Sequence, residues 1–249
     1  MNETSERDAP ENKLPFTEQN YLLRAIPDDV KSRLTPHFEL VELTLGDCIY
    51  ESGDELKFVY FPTDSIISLV YIMENGDSAE ISVVGNDGML GVPLFMGGGS
   101  TRNRAVVQSE GHAYRLPAQL LKTEFNRHSE LHHLLLRYTQ SLMTQMAQTA
   151  VCNRHHSVDQ QLCRWLLLSL DRIPTNVLTM TQELIADMLG VRREGVSVAA
   201  GKLQKMGVIE YHRGRMTVID RPKLETLSCE CYDVVKLECE RILNYLPER

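Results

Sequence analysis

Arg193, Glu194, Ser197 and Val198 crowd the first turns of one helical pattern and together offer the chemistry that reads the edges of base pairs. A guanidinium such as Arg193 can bond guanine O6 and N7 bidentately or clamp a phosphate. Glu194 can only accept, so cytosine N4 and adenine N6 are its major-groove partners. The isopropyl group of Val198 suits a thymine methyl, and the Ser197 hydroxyl bonds a base or a phosphate. Arg192 just before this set, Lys202 beyond it and Arg213 and Arg215 further on add cations suited to phosphates, which position a protein without specifying sequence. The bland alternative for Glu194 is a salt bridge that merely orients Arg193.

Such side chains need a rigid helix to carry them and a second helix to seat it. The segment TQELIADMLGVRREGVSVAAGKLQKMG, from Thr181 to Gly207, supplies both. Leu184, Ile185, Met188 and Leu189 share a helical face, with Thr181 as N-cap, itself among the expected DNA contacts, and Glu183 in the first turn, where the helix dipole favours an acid. Gly190 is suited to end that helix in a left-handed conformation. The second pattern buries Val196, Ala199, Ala200 and Leu203 and turns Glu194, Ser197, Val198 and Gly201 outward. This is the pattern of a helix-turn-helix, whose second helix enters the DNA major groove. Behind it, Val208–Tyr211 and Met216–Ile219 read as strands around a turn at His212-Arg213-Gly214-Arg215, so a winged helix is predicted. The alternative is a helix pair and hairpin in an unrelated α/β protein.

The chain has 249 residues, 43% of them hydrophobic, enough for two modest domains with real cores. Its net charge of −8 looks wrong for a DNA-binding protein, but the charge is distributed unevenly. Between Thr179 and Arg221, seven Lys and Arg stand against five Asp and Glu, and the acidic excess lies elsewhere. Screening over a Debye length of ~8 Å leaves the local field to decide phosphate attraction. No apolar run approaches a bilayer span and the amino terminus is polar, so the expectation is a cytoplasmic protein without a membrane partner. Three groupings resemble metal ligands: His128 with His132 and His133; Cys152 with His155 and His156; and Cys229-x-Cys231 with Cys239. None pairs a C-x-x-C with an H-x-x-x-H, so no metal is expected, and scattered Cys without a secretory signal argue against disulfides. No Ser-His-Asp, Walker or Rossmann pattern supports catalysis, so the chain is not expected to be an enzyme.

Residues 1–20 are polar and hold two Pro, and read as a mobile tail. Tyr21–Phe38 has helical spacing broken at Pro27. From Leu40 to Pro117, short strands rich in Val, Ile, Tyr and Phe alternate with turns, the clearest at Glu74-Asn75-Gly76-Asp77. That spacing predicts an antiparallel barrel or jelly roll. Over 128–153, Leu131, Leu135, Tyr138, Leu142, Gln145, Thr149 and Cys152 repeat at alternating steps of four and three, the seam of a coiled coil. Leu134, Met143, Met146, Ala147 and Ala150 form a second strip. One strip can pack on the β domain and the other on an identical helix of a second copy, with the Leu131–Thr149 seam taken as the dimer interface. A single buried helix would show the same composition. Ser157 with Gln160 is a capping-box start, which places a break near Arg154-His155-His156. The helix beginning at Pro222 is expected to pack inside its own domain.

The run LGVRREGVSVAAGKLQKMGVI resembles the DNA-binding segment of Crp/Fnr-type bacterial transcription regulators. Members open the recognition helix with Arg-Glu or Glu-x-x-Ser; Arg193-Glu194 matches the first and Glu194-x-x-Ser197 the second. Many follow that Ser with a guanine-contacting Arg, where this chain has Val198. The β segment resembles the family's cyclic nucleotide-binding roll, with Gly46 and Gly53 at strand turns. In nucleotide-binding relatives a Gly-Glu pair takes the ribose and an Arg-Ser or Arg-Thr pair the cyclic phosphate. Here Gly91 is followed by Val92, and Arg102 and Arg104 by Asn103 and Ala105. An isopropyl group accepts no hydrogen bond, so the resemblance with this departure disfavours cAMP. Gly91, Val92, Arg102, Asn103 and Arg104 remain the expected surroundings of some other effector; a simple flexible hairpin is the alternative. Oxygen-sensing relatives use an amino-terminal Cys cluster, and here no Cys precedes Cys48. The resemblance therefore implies an α+β chain: an antiparallel β-roll sensor over 21–127, a dimerisation helix over 128–153 and a winged helix-turn-helix over 154–249. Its expected partners are double-stranded DNA, a second copy of the chain and RNA polymerase. The rival class is a ligand-binding regulatory module that does not bind DNA.

Overall fold

The computed structural model describes residues 18–243. Most of the tail expected over 1–20 lies outside the described residues, but its last residue is anchored. Asn20 is fully buried, caps α1 (Tyr21–Ala25) by accepting from the Leu23 N–H, and donates to the Pro62 and Gly88 carbonyls at 2.8 Å each. Pro27 then opens α2 (Asp28–Leu34). The strands β1 (Glu39–Leu43), β2 (Cys48–Tyr50), β3 (Phe58–Pro62), β4 (Ile66–Ile72), β5 (Ser78–Val84), β6 (Arg104–Ser109) and β7 (Gly111–Pro117) follow. They form two antiparallel sheets, β1-β7-β3 and β2-β6-β4-β5. Alternate side chains such as Phe61, Leu69, Ala105 and Leu116 fill the space between them. The β4–β5 turn uses the expected Asn75-Gly76, with Gly76 at φ 89° and the Asn75 side chain accepting from the Asp77 N–H. Two short elements were not expected from the sequence: β2, and α3 (Ala118–Phe125), which is tied to α2 by the Arg33–Glu124 pair.

The long helix α4 (Glu130–His155) runs as its periodicity requires, but the strip expected at the dimer seam faces the roll. The second strip is split: Leu134 and Met146 pack on the core, whereas Met143, Ala147 and Ala150 face outward. Leu131, Leu135, Tyr138, Leu142, Gln145 and Thr149, expected at a dimer interface, are all buried inside their own chain. The reason is polar as well as apolar. Tyr138 donates to the Met89 carbonyl at 2.9 Å, Gln145 accepts from the Val83 N–H at 2.7 Å and from the Ser82 hydroxyl, and Thr149 accepts from Arg164 at 3.2 Å. Gly88 lies so close to the Tyr138 ring that a Cβ there would come within 2.3 Å of its hydroxyl. The outward stripe is instead Leu136, Gln140, Met143, Ala147, Ala150 and Arg154, stepping by four and three, with Leu136 45% and Met143 62% exposed.

His156 ends α4, and Ser157 restarts the chain with the expected capping box to Gln160. The carboxy-terminal part comprises α5 (Val158–Leu170), β8 (Val177–Thr179), α6 (Gln182–Leu189), α7 (Arg193–Lys205), β9 (Ile209–His212), β10 (Arg215–Val218), α8 (Arg221–Leu227) and α9 (Cys231–Leu243). Strand β8, too short to show a period, completes a β8-β10-β9 sheet. The helix expected from Pro222 onward is broken at Ser228. Both halves pack on α5, with Leu224 of α8 and Tyr232 and Val235 of α9 in its core as expected, but α9 also reaches out of its domain to pack along α4. The two domains are also fused through a common core: Ile66, Val70 and Val83 of the roll join Leu162, Trp165 and Leu166 of α5. Among the described residues no helix is long and apolar enough to cross a membrane.

Candidate nucleic-acid interface

The site begins with α6, which seats the helix after it. Thr181 caps α6, its hydroxyl accepting from the Leu184 N–H at 3.1 Å, so its role is to fix the helix start. Gly190 closes α6 at φ 64°, a left-handed conformation that costs glycine little. Val196, Ala199, Ala200 and Leu203 of α7 are buried against α5 and α6, the small residues allowing a close crossing. The opposite face of α7 is open: Val198 is 57% exposed, and a Cβ at Gly201 would meet nothing within 4 Å.

Each expected DNA-facing residue has a definite local state. Arg193 lies 3.7 Å from Glu183 on α6, both side chains exposed, a pair that solvent renders weak and easily exchanged for a phosphate or base. Glu183, not Glu194, is thus the carboxylate beside Arg193, and Glu194 makes no ion pair among the described residues. Ser197 is half-buried and donates to Gln182, which ties α7 to α6 and leaves its hydroxyl lone pairs for an incoming donor. Lys202 is engaged 2.6 Å from Asp159 on the first turn of α5, so it sits on the flank of the helix toward α5. Arg192 is exposed at the N-cap of α7 without an ion pair among the described residues. Gln182 and Asp159 were not singled out in the sequence, and Glu183 only as a first-turn acid, because each acts through a neighbour from another helix.

The wing is tighter than its sequence outline. His212 pairs with Arg215, so the turn is Arg213-Gly214 alone, at φ 49° and 79°. Two successive left-handed residues make the two-residue hairpin turn that matches strand twist. Arg213 and Arg215 are exposed there, and neither makes an ion pair among the described residues. The Tyr211 hydroxyl donates to the Met180 carbonyl at 2.8 Å, holding the wing against the start of α6. The interface is therefore one exposed helix face flanked by cations at the helix start and the wing tip.

The expected effector residues separate into two groups. A cavity of about 180 Å³ between the roll and α4 is lined by Gly91, Val92 and Asn103, together with Tyr50, Met89 and Met143. Asn103 is buried and accepts from the Tyr50 hydroxyl at 3.1 Å. Arg102 and Arg104 do not line it. Arg102 is exposed, and Arg104 points to the outer edge of the roll, 2.9 Å from Glu51. Asn103 turns inward at the bend just before β6, while Arg102 on that bend and Arg104, the first residue of β6, turn outward. Their inclusion as pocket residues is corrected, and among the described residues no cation lines the cavity to meet a phosphate.

An antiparallel roll joined by a long helix to a winged helix-turn-helix defines a two-domain DNA-binding regulator. Known proteins agree with that class. Residues 40–128 match the cyclic nucleotide-binding domain and residues 160–227 the Crp-like helix-turn-helix domain. The global nitrogen regulator of Synechococcus elongatus is 22% identical over 192 residues, covering 73% of this chain and 86% of that protein. A structure of a regulator of the Crp/Fnr family from Eubacterium rectale is similar with a TM-score of 0.66 at 16% identity, over 84% of this chain and 98% of that one. FixK2 from Bradyrhizobium japonicum gives 0.65 at 16% identity, over 77% and 98%. The chain belongs to the Crp/Fnr-type transcription regulators.

Proposed function

We propose that the protein acts in the cytoplasm as a homodimer on a two-fold symmetric DNA site, with 21–127 as sensor, 128–153 as linking helix and 154–249 as reader. The observation that carries this is the exposed set on α7 and the wing. Arg193, Glu194 and Val198 face outward together, and Arg192, Arg213 and Arg215 surround them without ion pairs among the described residues. The outward stripe of α4 supplies the dimer seam, because its four-three spacing lets two parallel copies interlock over several turns. Two recognition helices must then lie about 34 Å apart to enter successive major grooves. Binding-site selection from a random duplex library tests the reading: it should return two inverted half-sites about 10 base pairs apart. Recovery of no enriched sequence, or of a single half-site, would sink it. In vitro transcription with RNA polymerase on a template bearing the selected site then separates recruitment from occlusion.

The cavity supports control by a compact, largely uncharged effector that uses the Tyr50–Asn103 pair as its polar anchor. Met143 lines this cavity and also stands on the outward stripe of α4, so an occupant and a second copy would bear on the same side chain. Cyclic AMP fits poorly: no cation of the lining faces its phosphate, and Val92 leaves ribose hydroxyls unpaired at ~1–3 kcal/mol each. Calorimetry should show no cAMP binding in the micromolar range.

A further inference from the structure

Three segments far apart in the chain converge beyond the carboxyl end of α4. Cys152 and His156 stand one turn apart on α4 and its cap, and therefore share a face. Cys229 and Cys231 straddle the start of α9, which packs back along α4. The three sulfur atoms and a ring nitrogen of His156 all lie within 4.8 Å of one another, and all three thiols are buried. Cys152 Sγ and Cys229 Sγ are 3.6 Å apart, and Cys231 Sγ and His156 Nδ1 are likewise 3.6 Å apart. These are two opposite edges of a tetrahedron. Zinc–sulfur bonds of about 2.3 Å and zinc–nitrogen bonds of about 2.0 Å require edges of roughly 3.5–3.8 Å. A sulfur–sulfur separation of 3.6 Å is also far beyond the ~2.05 Å of a disulfide.

We propose that Cys152, His156, Cys229 and Cys231 form a mononuclear, tetrahedral site for a thiophilic divalent cation, zinc in the first place, that clamps α9 to the end of α4. Two further features suit a metal better than a dry cluster of thiols. While Nδ1 of His156 faces the sulfurs, its Nε2 lies 3.3 Å from the Glu230 carboxylate. That is the outer partner that fixes a ligating imidazole in orientation and tautomer. Arg164 is buried beside the cluster with its Nε unpartnered, and its charge acts on both Cys152 and Cys231. Three thiolates and a neutral imidazole around a divalent ion carry a net charge of −1, which a neighbouring guanidinium offsets. The compactness of the set also selects one ion over an iron–sulfur cluster, whose several metal atoms hold their ligands further apart. The site is closed by four protein ligands, as structural zinc sites are.

This site stands on its own geometry, apart from the reading of DNA. It bridges the break at His156–Ser157, so the cation would hold the two domains in register where the helical path is interrupted. The test uses the full chain, purified under reducing conditions, with metal content by mass spectrometry and then replacement by Co²⁺. The wild type should retain about one zinc per protomer, and the cobalt form should show thiolate-to-metal absorption with the visible bands of a tetrahedral ion. Cys229→Ser together with Cys231→Ser should abolish both, while Cys48→Ser, at an exposed position, should change neither. Glu230→Gln lies at the surface and should leave the fold intact, yet weaken zinc in a chelator competition by about 10–100-fold. Purified protein that holds no metal and gives no tetrahedral cobalt spectrum would overturn the assignment. So would several irons with sulfide per protomer, or a cobalt spectrum unchanged by the double substitution.

Discussion

At the scale of single residues, Glu194 and Arg213 separate two ways of meeting DNA. Glu194 stands exposed without an ion pair among the described residues, next to an Arg193 already matched by Glu183. It is therefore free to accept from a base, and Glu194→Ala should relax choice at one base pair of each half-site by ~1–3 kcal/mol, with little change in salt dependence. Repeating the site selection with this variant checks it; an unchanged consensus would assign Glu194 no base. Arg213 on the wing should meet a phosphate. Arg213→Ala should therefore weaken all sequences alike and flatten the salt slope by about one unit for each phosphate it no longer neutralises. A fluorescence titration at several salt concentrations reads that slope, and weakening confined to one sequence would contradict it. The residue types needed for these roles were legible in the chain, because exposed chemistry on one helix face depends only on local spacing. The cysteine and histidine cluster was not. Its halves lie 77 residues apart between Cys152 and Cys229, and C-x-C and C-x-x-x-H each look unremarkable until α9 folds back on α4.

At the scale of elements, α4 shows what periodicity can and cannot decide. The Leu131–Thr149 strip repeats at helical spacing and was visible, but that it meets the roll, together with Leu134 and Met146 of the second strip, depends on partners in other elements. Gln145 and Thr149 look like poor core residues until Ser82, Val83 and Arg164 supply their hydrogen bonds. The wing and the capping box at Ser157 were readable because turn and cap chemistry is local, whereas β2 and β8 have three residues each and no period to show. The buried seam and the exposed stripe lead to an opposed pair of outcomes. Leu136→Glu with Met143→Glu places charge on the exposed stripe, so sedimentation should report a folded monomer that binds DNA weakly. Leu135→Glu instead buries an unpaired carboxylate among fully covered side chains and should unfold the roll, at a cost of several kcal/mol. A Leu136/Met143 variant that still sediments as a dimer would place the interface elsewhere.

At the scale of the whole molecule, the roll and the DNA-binding domain are held together across a seam that contains a buried acid. Glu80 on β5 accepts from the Trp165 indole at 3.1 Å and lies 2.5 Å from the Ser68 hydroxyl. Ser68 is 2.7 Å from the Gln108 side-chain oxygen, and Gln108 donates to Ser169 at 3.0 Å. Arg172 closes the seam 2.7 Å from Asp87. Ser68 has one hydrogen for two acceptors, and a protonated Glu80 resolves the conflict by donating to Ser68, which then donates to Gln108. Burial pushes the Glu80 carboxyl up to about 7, against the indole bond from Trp165 and the charges of Arg164 and Arg172, which pull the other way. A carboxyl raised above its ordinary 4.5 keeps its proton in the folded protein after the unfolded chain has released it. The stabilisation is thus complete at acid pH and is lost as pH rises from about 4.5 toward 7, by an amount on the order of 3 kcal/mol. Glu80→Gln keeps an oxygen for Trp165 and an N–H donor for Ser68 but cannot titrate. Urea unfolding between pH 5.5 and pH 8.5 should therefore show wild-type stability declining toward neutrality and the variant flatter across the same range. The docked arrangement should loosen in parallel, read as lower hydrogen-exchange protection of α5 and β5 than in the Glu80→Gln variant at the same higher pH. Equal slopes in the two proteins would mean that Glu80 does not set the pH dependence of the seam.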